Sequence, residues 1–119
     1  MAAKPPPAKT PICRLDEIPD GGGGVFSFAT TEADEEEFRL LVLRSGDTCY
    51  GYENRCPHFG MPLAEAGHPL ILKPHVSVTC NVHYARFRWR DGYCEFGDCE
   101  GESLSAIPLR VADGTVFVA

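Results

Sequence analysis

The run Phe38-Arg39-Leu40-Leu41-Val42-Leu43-Arg44, the break Ser45-Gly46-Asp47 and the run Thr48-Cys49-Tyr50-Gly51-Tyr52 decide how this chain folds. Two short apolar runs flank a break of small, turn-forming residues, which is a hairpin signature. The second run delivers the chain directly to Cys56. Moving outward, the same pattern recurs. Val25-Phe26-Ser27-Phe28 reads as a short strand, preceded by a loop of Asp20 and Gly21 to Gly24. That glycine run lacks the Lys-Ser/Thr and the strand–helix unit of a phosphate-binding loop. Val76, Val78 and Cys80 alternate with Ser77 and Thr79, as in a half-buried strand. Phe87 and Trp89 alternate with Arg86, Arg88 and Arg90. Asp91-Gly92 then predicts a tight turn into Tyr93-Cys94-Glu95-Phe96. Asp113-Gly114 predicts another between Leu109-Arg110-Val111 and Thr115-Val116-Phe117-Val118. Pro57, Pro62, Pro69 and Pro74 forbid a long helix between residues 56 and 76. The fold class expected is all-β, a sandwich or small barrel of short strands.

A chain of 119 residues fits one domain. Residues 1–11 read as a flexible Pro-rich tail and 12–119 as the folded domain. The formal net charge of −6 argues against non-specific nucleic-acid binding. The acidic run Glu32 to Glu37 reads as a solvated face. No stretch approaches the ~20 apolar residues of a membrane span. The first residues lack the apolar core of a signal peptide. Those features predict a cytoplasmic protein. In that setting the 6 cysteines are expected to be metal ligands and free thiols, not a disulfide framework.

Two of those cysteines sit in matched arms. Cys56-Pro57-His58 and Cys80-Asn81-Val82-His83 each hold one Cys and one His, with 21 residues between His58 and Cys80. Four soft and borderline ligands in paired arms have the make-up of a metal or cluster site. A Cys2His2 zinc site is one reading, although zinc arms usually pair Cys with Cys and His with His. Core cysteines beside surface histidines are another. The third is a [2Fe–2S] centre with the cysteines on one iron and the histidines on the other, an asymmetry that mixed arms suit.

The arms resemble the Rieske family, and in particular its small soluble ferredoxins. Cys56-Pro57-His58-Phe59-Gly60 is similar to that family's first loop. Cys80-Asn81-Val82-His83, with Phe87 four residues on, is similar to its second. Arg14 to Pro19 and Pro108 to Val116 add weaker likeness. Asn81 and Tyr84 stand where the family usually has Pro and Gly. The resemblance implies stacked antiparallel sheets with two cluster-binding loops at one end. It also implies a Rieske-type [2Fe–2S] cofactor held by Cys56, His58, Cys80 and His83. The outer nitrogens of the two histidines would lie at the surface, framed by Phe59, Met61 and Pro62.

The function implied is that of an electron carrier, not an enzyme, taking single electrons from a flavin reductase to a terminal oxygenase. The chain shows no second iron site of the two-His-one-carboxylate type that such an oxygenase needs. A cluster-containing regulatory, sensor or small reductase subunit and a Cys2His2 zinc-stabilised interaction module are the alternatives. Mixed-ligand centres span roughly −150 to +300 mV. High-potential members carry an extra Cys in each loop. Met61 and Val82 stand at the corresponding positions here, which predicts the low end, about −100 to −200 mV. His68 and His75 are expected to be ordinary surface histidines, and Cys13, Cys49, Cys94 and Cys99 buried thiols.

Overall fold

A computed structural model of the chain describes residues 6–28, 38–55, 71–80, 85–97 and 99–119. Among the described residues, ten strands form three antiparallel sheets. The first sheet has the order β1-β10-β9, from Pro11–Arg14, Thr115–Val118 and Leu109–Ala112. The second is β2-β3-β4, from Gly23–Phe28, Phe38–Ser45 and Thr48–Glu53. The third is β5-β6-β7-β8, from Ile71–Lys73, Ser77–Thr79, Arg86–Arg88 and Cys94–Phe96. A 3-10 turn, Leu15–Glu17, follows β1. The all-β reading therefore holds, as stacked antiparallel sheets.

The apolar run from Phe38 to Arg44 is β3, the central strand of its sheet. Leu40, Leu41, Val42 and Leu43 are all fully buried. Successive strand residues point to opposite faces. Leu41 and Leu43 accordingly enter one core with Tyr52, Val78, Phe87 and Trp89. Phe38, Leu40 and Val42 enter a second core with Ile18, Cys49 and Val116. A strand buried on both faces reads as a continuous apolar run, and for that reason this one does not alternate.

The turns follow their residues. Asp113 and Gly114 both take positive φ, 51° and 74°, as a two-residue hairpin requires. The other Asp-Gly pair behaves differently from expectation. Only Gly92 has positive φ, and its N–H donates to the Arg88 carbonyl at 2.8 Å. The connection runs over five residues instead of two. The Asp91 carboxylate accepts from the Tyr93 N–H and pairs with Arg88, which holds the wider loop. Gly23 and Gly24, expected in a loop, belong to β2 opposite Leu43 and Val42. Hydrogen bonding begins within the stretch read as a tail: the Lys9 N–H donates to the Val118 carbonyl, and the Val118 N–H to that of Thr10. Arg44 ties the β3–β4 turn to the 3-10 turn by donating to the carbonyls of Leu15 and Ile18.

Candidate metal centre

The chain is held firmly up to each of the two arms. At the end of β4, the Glu53 N–H donates to the Ser105 carbonyl and the Asn54 N–H to that of Arg39, both at 2.8 Å. Asn54 is a buried polar residue. Arg55 is the last described residue before the first arm; Cys56 and His58, with Phe59, Met61, Pro62 and His68, lie outside the described residues. On the other side, β6 ends at Thr79, and the Cys80 N–H donates to the Ala85 carbonyl at 2.8 Å. That bond closes the β6–β7 pair across a connection of four residues, Asn81 to Tyr84. These too lie outside the described residues, His83 among them.

Cys80 is thus the one predicted ligand that the structure describes. It is fully buried, forms no disulfide among the described residues, and is packed in the core that holds Ala85, Cys94, Cys99 and Phe87. A buried sulfur at a strand end, screened from water and next to a short connection, fits the environment of a cluster thiolate, whose potential depends on burial and local dielectric. Two thiolates and two imidazoles also match the donor set of a mixed-ligand iron–sulfur centre.

The backbone just outside Cys80 leaves little room. Gly97, after β8, has φ +103°, and a Cβ there would stand 2.9 Å from the Ala85 Cα. Glycine at 97 therefore lets β8 pass against the residue that closes the Cys80 connection.

Of the remaining candidates, Cys94 and Cys99 share the Cys80 core, whereas Cys49 belongs to the second core and Cys13 packs against it. His75 precedes β6, at the strand end opposite Cys80. It adopts φ +66°. Its Nδ1 lies 2.7 Å from the Ser45 hydroxyl, and its ring centroid 5.9 Å from that of Trp89. It is a clasp between loops, more constrained than an ordinary surface histidine. Cys49, Cys94 and Cys99 are buried thiols, whereas Cys13 is only partly buried. Burial, with Glu17 and Cys49 nearby, pushes the Cys13 thiol up to about 11. A thiol held protonated is a poor nucleophile and a poor metal ligand. No described helix is long and apolar enough to cross a membrane.

One surface feature escaped the sequence reading. Phe96 is 58% exposed and lies under the Arg86 guanidinium, 5.3 Å from its carbon. A bulge in the β7–β8 register puts Glu95 and Phe96 together opposite Arg86. Alternation alone cannot reveal a bulge.

Comparison with known proteins gives a consistent result. The family model described as the Rieske [2Fe-2S] domain matches residues 8–109. A curated relative, the ferredoxin subunit of 3-phenylpropionate/cinnamic acid dioxygenase from Photorhabdus laumondii subsp. laumondii, is 22% identical over 107 residues, 90% of each chain. Among solved structures, the ferredoxin of carbazole 1,9a-dioxygenase from Nocardioides aromaticivorans IC177 is 22% identical. The match covers 92% of this chain and 97% of that one, with a TM-score of 0.64. A chain of the carbazole-bound oxygenase–ferredoxin complex of carbazole 1,9a-dioxygenase is 24% identical with a TM-score of 0.73. The match covers 93% of this chain but only 28% of that one. These last two likenesses speak for the fold.

Proposed function

We propose an electron-carrying role for this chain, and its premise is that the chain belongs to the Rieske [2Fe-2S] domain family. Its cofactor is a Rieske-type [2Fe–2S] cluster, a group that accepts and returns one electron at a time. The cluster would be held by the thiolates of Cys56 and Cys80 and the imidazoles of His58 and His83.

The chain's own residues have three tasks in this reading. Cys80 supplies a thiolate from a position that excludes water, which keeps the ligand from oxidation and exchange. The bond from the Cys80 N–H to the Ala85 carbonyl fixes where the second arm begins and ends. The bonds at Glu53 and Asn54 do the same for the first arm. A rigid frame suits a carrier, because little needs to rearrange when charge changes. The histidines would be the exit, with their outer nitrogens towards a docked partner.

The observation that carries the proposal is the match, over 90% of both chains, to a relative that is itself a ferredoxin subunit of a dioxygenase. The partners would then be a flavin reductase as donor and a terminal ring-hydroxylating oxygenase as acceptor, both docking transiently in the cytoplasm. The purified protein is expected to show visible absorption that dithionite bleaches. Cys80→Ser should abolish it and Cys49→Ser should leave it intact. The parent protein should also pass electrons from an NADH-dependent flavin reductase to an oxygenase. A colourless parent protein holding zinc would sink the proposal.

A further inference from the structure

The outward face of the β5–β8 sheet differs from the rest of the molecule. Directly paired strand residues share a face. The register aligns Ile71, Thr79, Arg86 and Phe96 in one row across all four strands. Ile71 is 40% exposed and Phe96 58%. Among the described residues five large hydrophobics are exposed, and four of them, Ile71, Val76, Tyr93 and Phe96, belong to this sheet or its turns. Arginines stack on the two aromatics: Arg86 on Phe96 at 5.3 Å, Arg88 on Tyr93 at 4.7 Å. Beside them lies a hollow of about 350 Å³ walled by His75, Val76, Arg88, Arg90 and Glu95.

The charge is reversed as well. Between Ile71 and Gly97 the charged residues are Lys73, Arg86, Arg88 and Arg90 against Asp91 and Glu95, a surplus of two cations on a chain of net charge −6. Lys73 and Arg90 have no ion-pair partner among the described residues. Exposed apolar residues rimmed by arginine are the composition of a protein interface, not of an idle surface. The row Ile71-Thr79-Arg86-Phe96 also borders Cys80 and Ala85, at the mouth of the second arm.

We propose that this face is the docking surface for an electron-transfer partner whose own surface is acidic around an apolar spot. Phe96 and Ile71 would meet the apolar centre. Arg86, Arg90 and Lys73 would meet carboxylates, the hollow between Arg88 and Arg90 accepting one of them. Charge complementarity selects this occupant: a basic partner would be drawn to the acidic remainder of the chain. The proposal rests on the carrier reading above.

The test uses the cluster-loaded protein and reduced flavodoxin, a small acidic one-electron flavoprotein, in stopped flow. The second-order rate constant is expected to fall about tenfold in Arg86→Glu and in Lys73→Glu, and to fall with added salt in the parent. Phe96→Ala should slow the reaction too, whereas Val25→Ser, on β2, should match the parent. All variants should keep the parent's visible spectrum and be reduced equally by dithionite. Equal flavodoxin rates in the parent and both charge-reversal variants would overturn the proposal. Should dithionite fail to reduce the parent, the carrier reading has failed, and calorimetric titration with oxidised flavodoxin then judges the surface. Binding weakened by Arg86→Glu sustains it, and unaltered or absent binding overturns it. Binding of a short single-stranded oligonucleotide in place of flavodoxin, lost in Arg86→Glu, also overturns it.

Discussion

The Tyr52 hydroxyl donates to the Trp89 carbonyl, so one β4 side chain holds the turn between β7 and β8. Both residues are buried, and removing the hydroxyl leaves the carbonyl without that donor. Tyr52→Phe is expected to cost about 1–3 kcal/mol, read from urea unfolding. The same tyrosine sets an alkaline limit. Burial, then Asp91 and Tyr50, push its pKa up to about 12 from an ordinary 10.0. A raised folded-state pKa means that its contribution is complete below pH 10 and is lost as pH rises towards 12. The Cys13 thiol, pushed up to about 11 from 9.0, adds to the loss from a lower starting pH. Stability should therefore decline above pH 9, and Tyr52→Phe should flatten only the later part of the decline. An unchanged profile in that variant would show that Tyr52 is not the group responsible. The sequence marks Tyr52 as a strand residue, but its partner is 37 positions away, a pairing that no local pattern encodes.

At the scale of the element, β3 carries the most weight because it serves two cores. Leu40 and Leu41 are neighbours in sequence, yet their side chains enter different layers. Leu40→Ala and Leu41→Ala should each cost about 2–5 kcal/mol, as for other buried leucines. Adjacent residues usually couple, but these two belong to separate clusters among the described residues, so their costs should add to within about 0.5 kcal/mol in a double-mutant cycle. A coupling well above 1 kcal/mol would mean that the layers are one core. Only Leu41→Ala acts on the layer that contains Cys80, so it alone should lower the temperature at which the visible absorption is lost. Most strands were legible because apolar runs and alternation are local signals, but β1 and β5 were not read as strands. Their allocation to sheets was not, because β5 to β8 have three residues each, too short for periodicity to assign. The proposed ligands Cys56, His58, Cys80 and His83 stand out in the sequence through their paired Cys/His spacing, whereas the bulge beside Phe96 has no signature in residue type.

For the whole molecule, the two layers predict how it responds to losing its cofactor. The layer between the β2–β4 and β5–β8 sheets includes Cys80 and Ala85. Among the described residues, the layer between β3 and the β1-β10-β9 sheet includes no proposed ligand. The β5–β8 strands are short and pair through few backbone bonds, so they lean most on whatever fixes the Cys80 connection. Binding that occurs only in the folded state stabilises the region that does the binding. Amide hydrogen exchange on protein stripped of iron should therefore show protection falling first at Val78, Phe87 and the strands around them. Amides of β9 and β10, and of β3 where it pairs with β2, should keep most of theirs, as expected for locally cooperative units. The salt-sensitive docking face lies on the same sheet, so cluster loss should also weaken binding to an acidic partner without any change of charge on that face. Uniform loss of protection across all three sheets would show instead that the molecule unfolds as one unit and that the Cys80 layer has no separate stability.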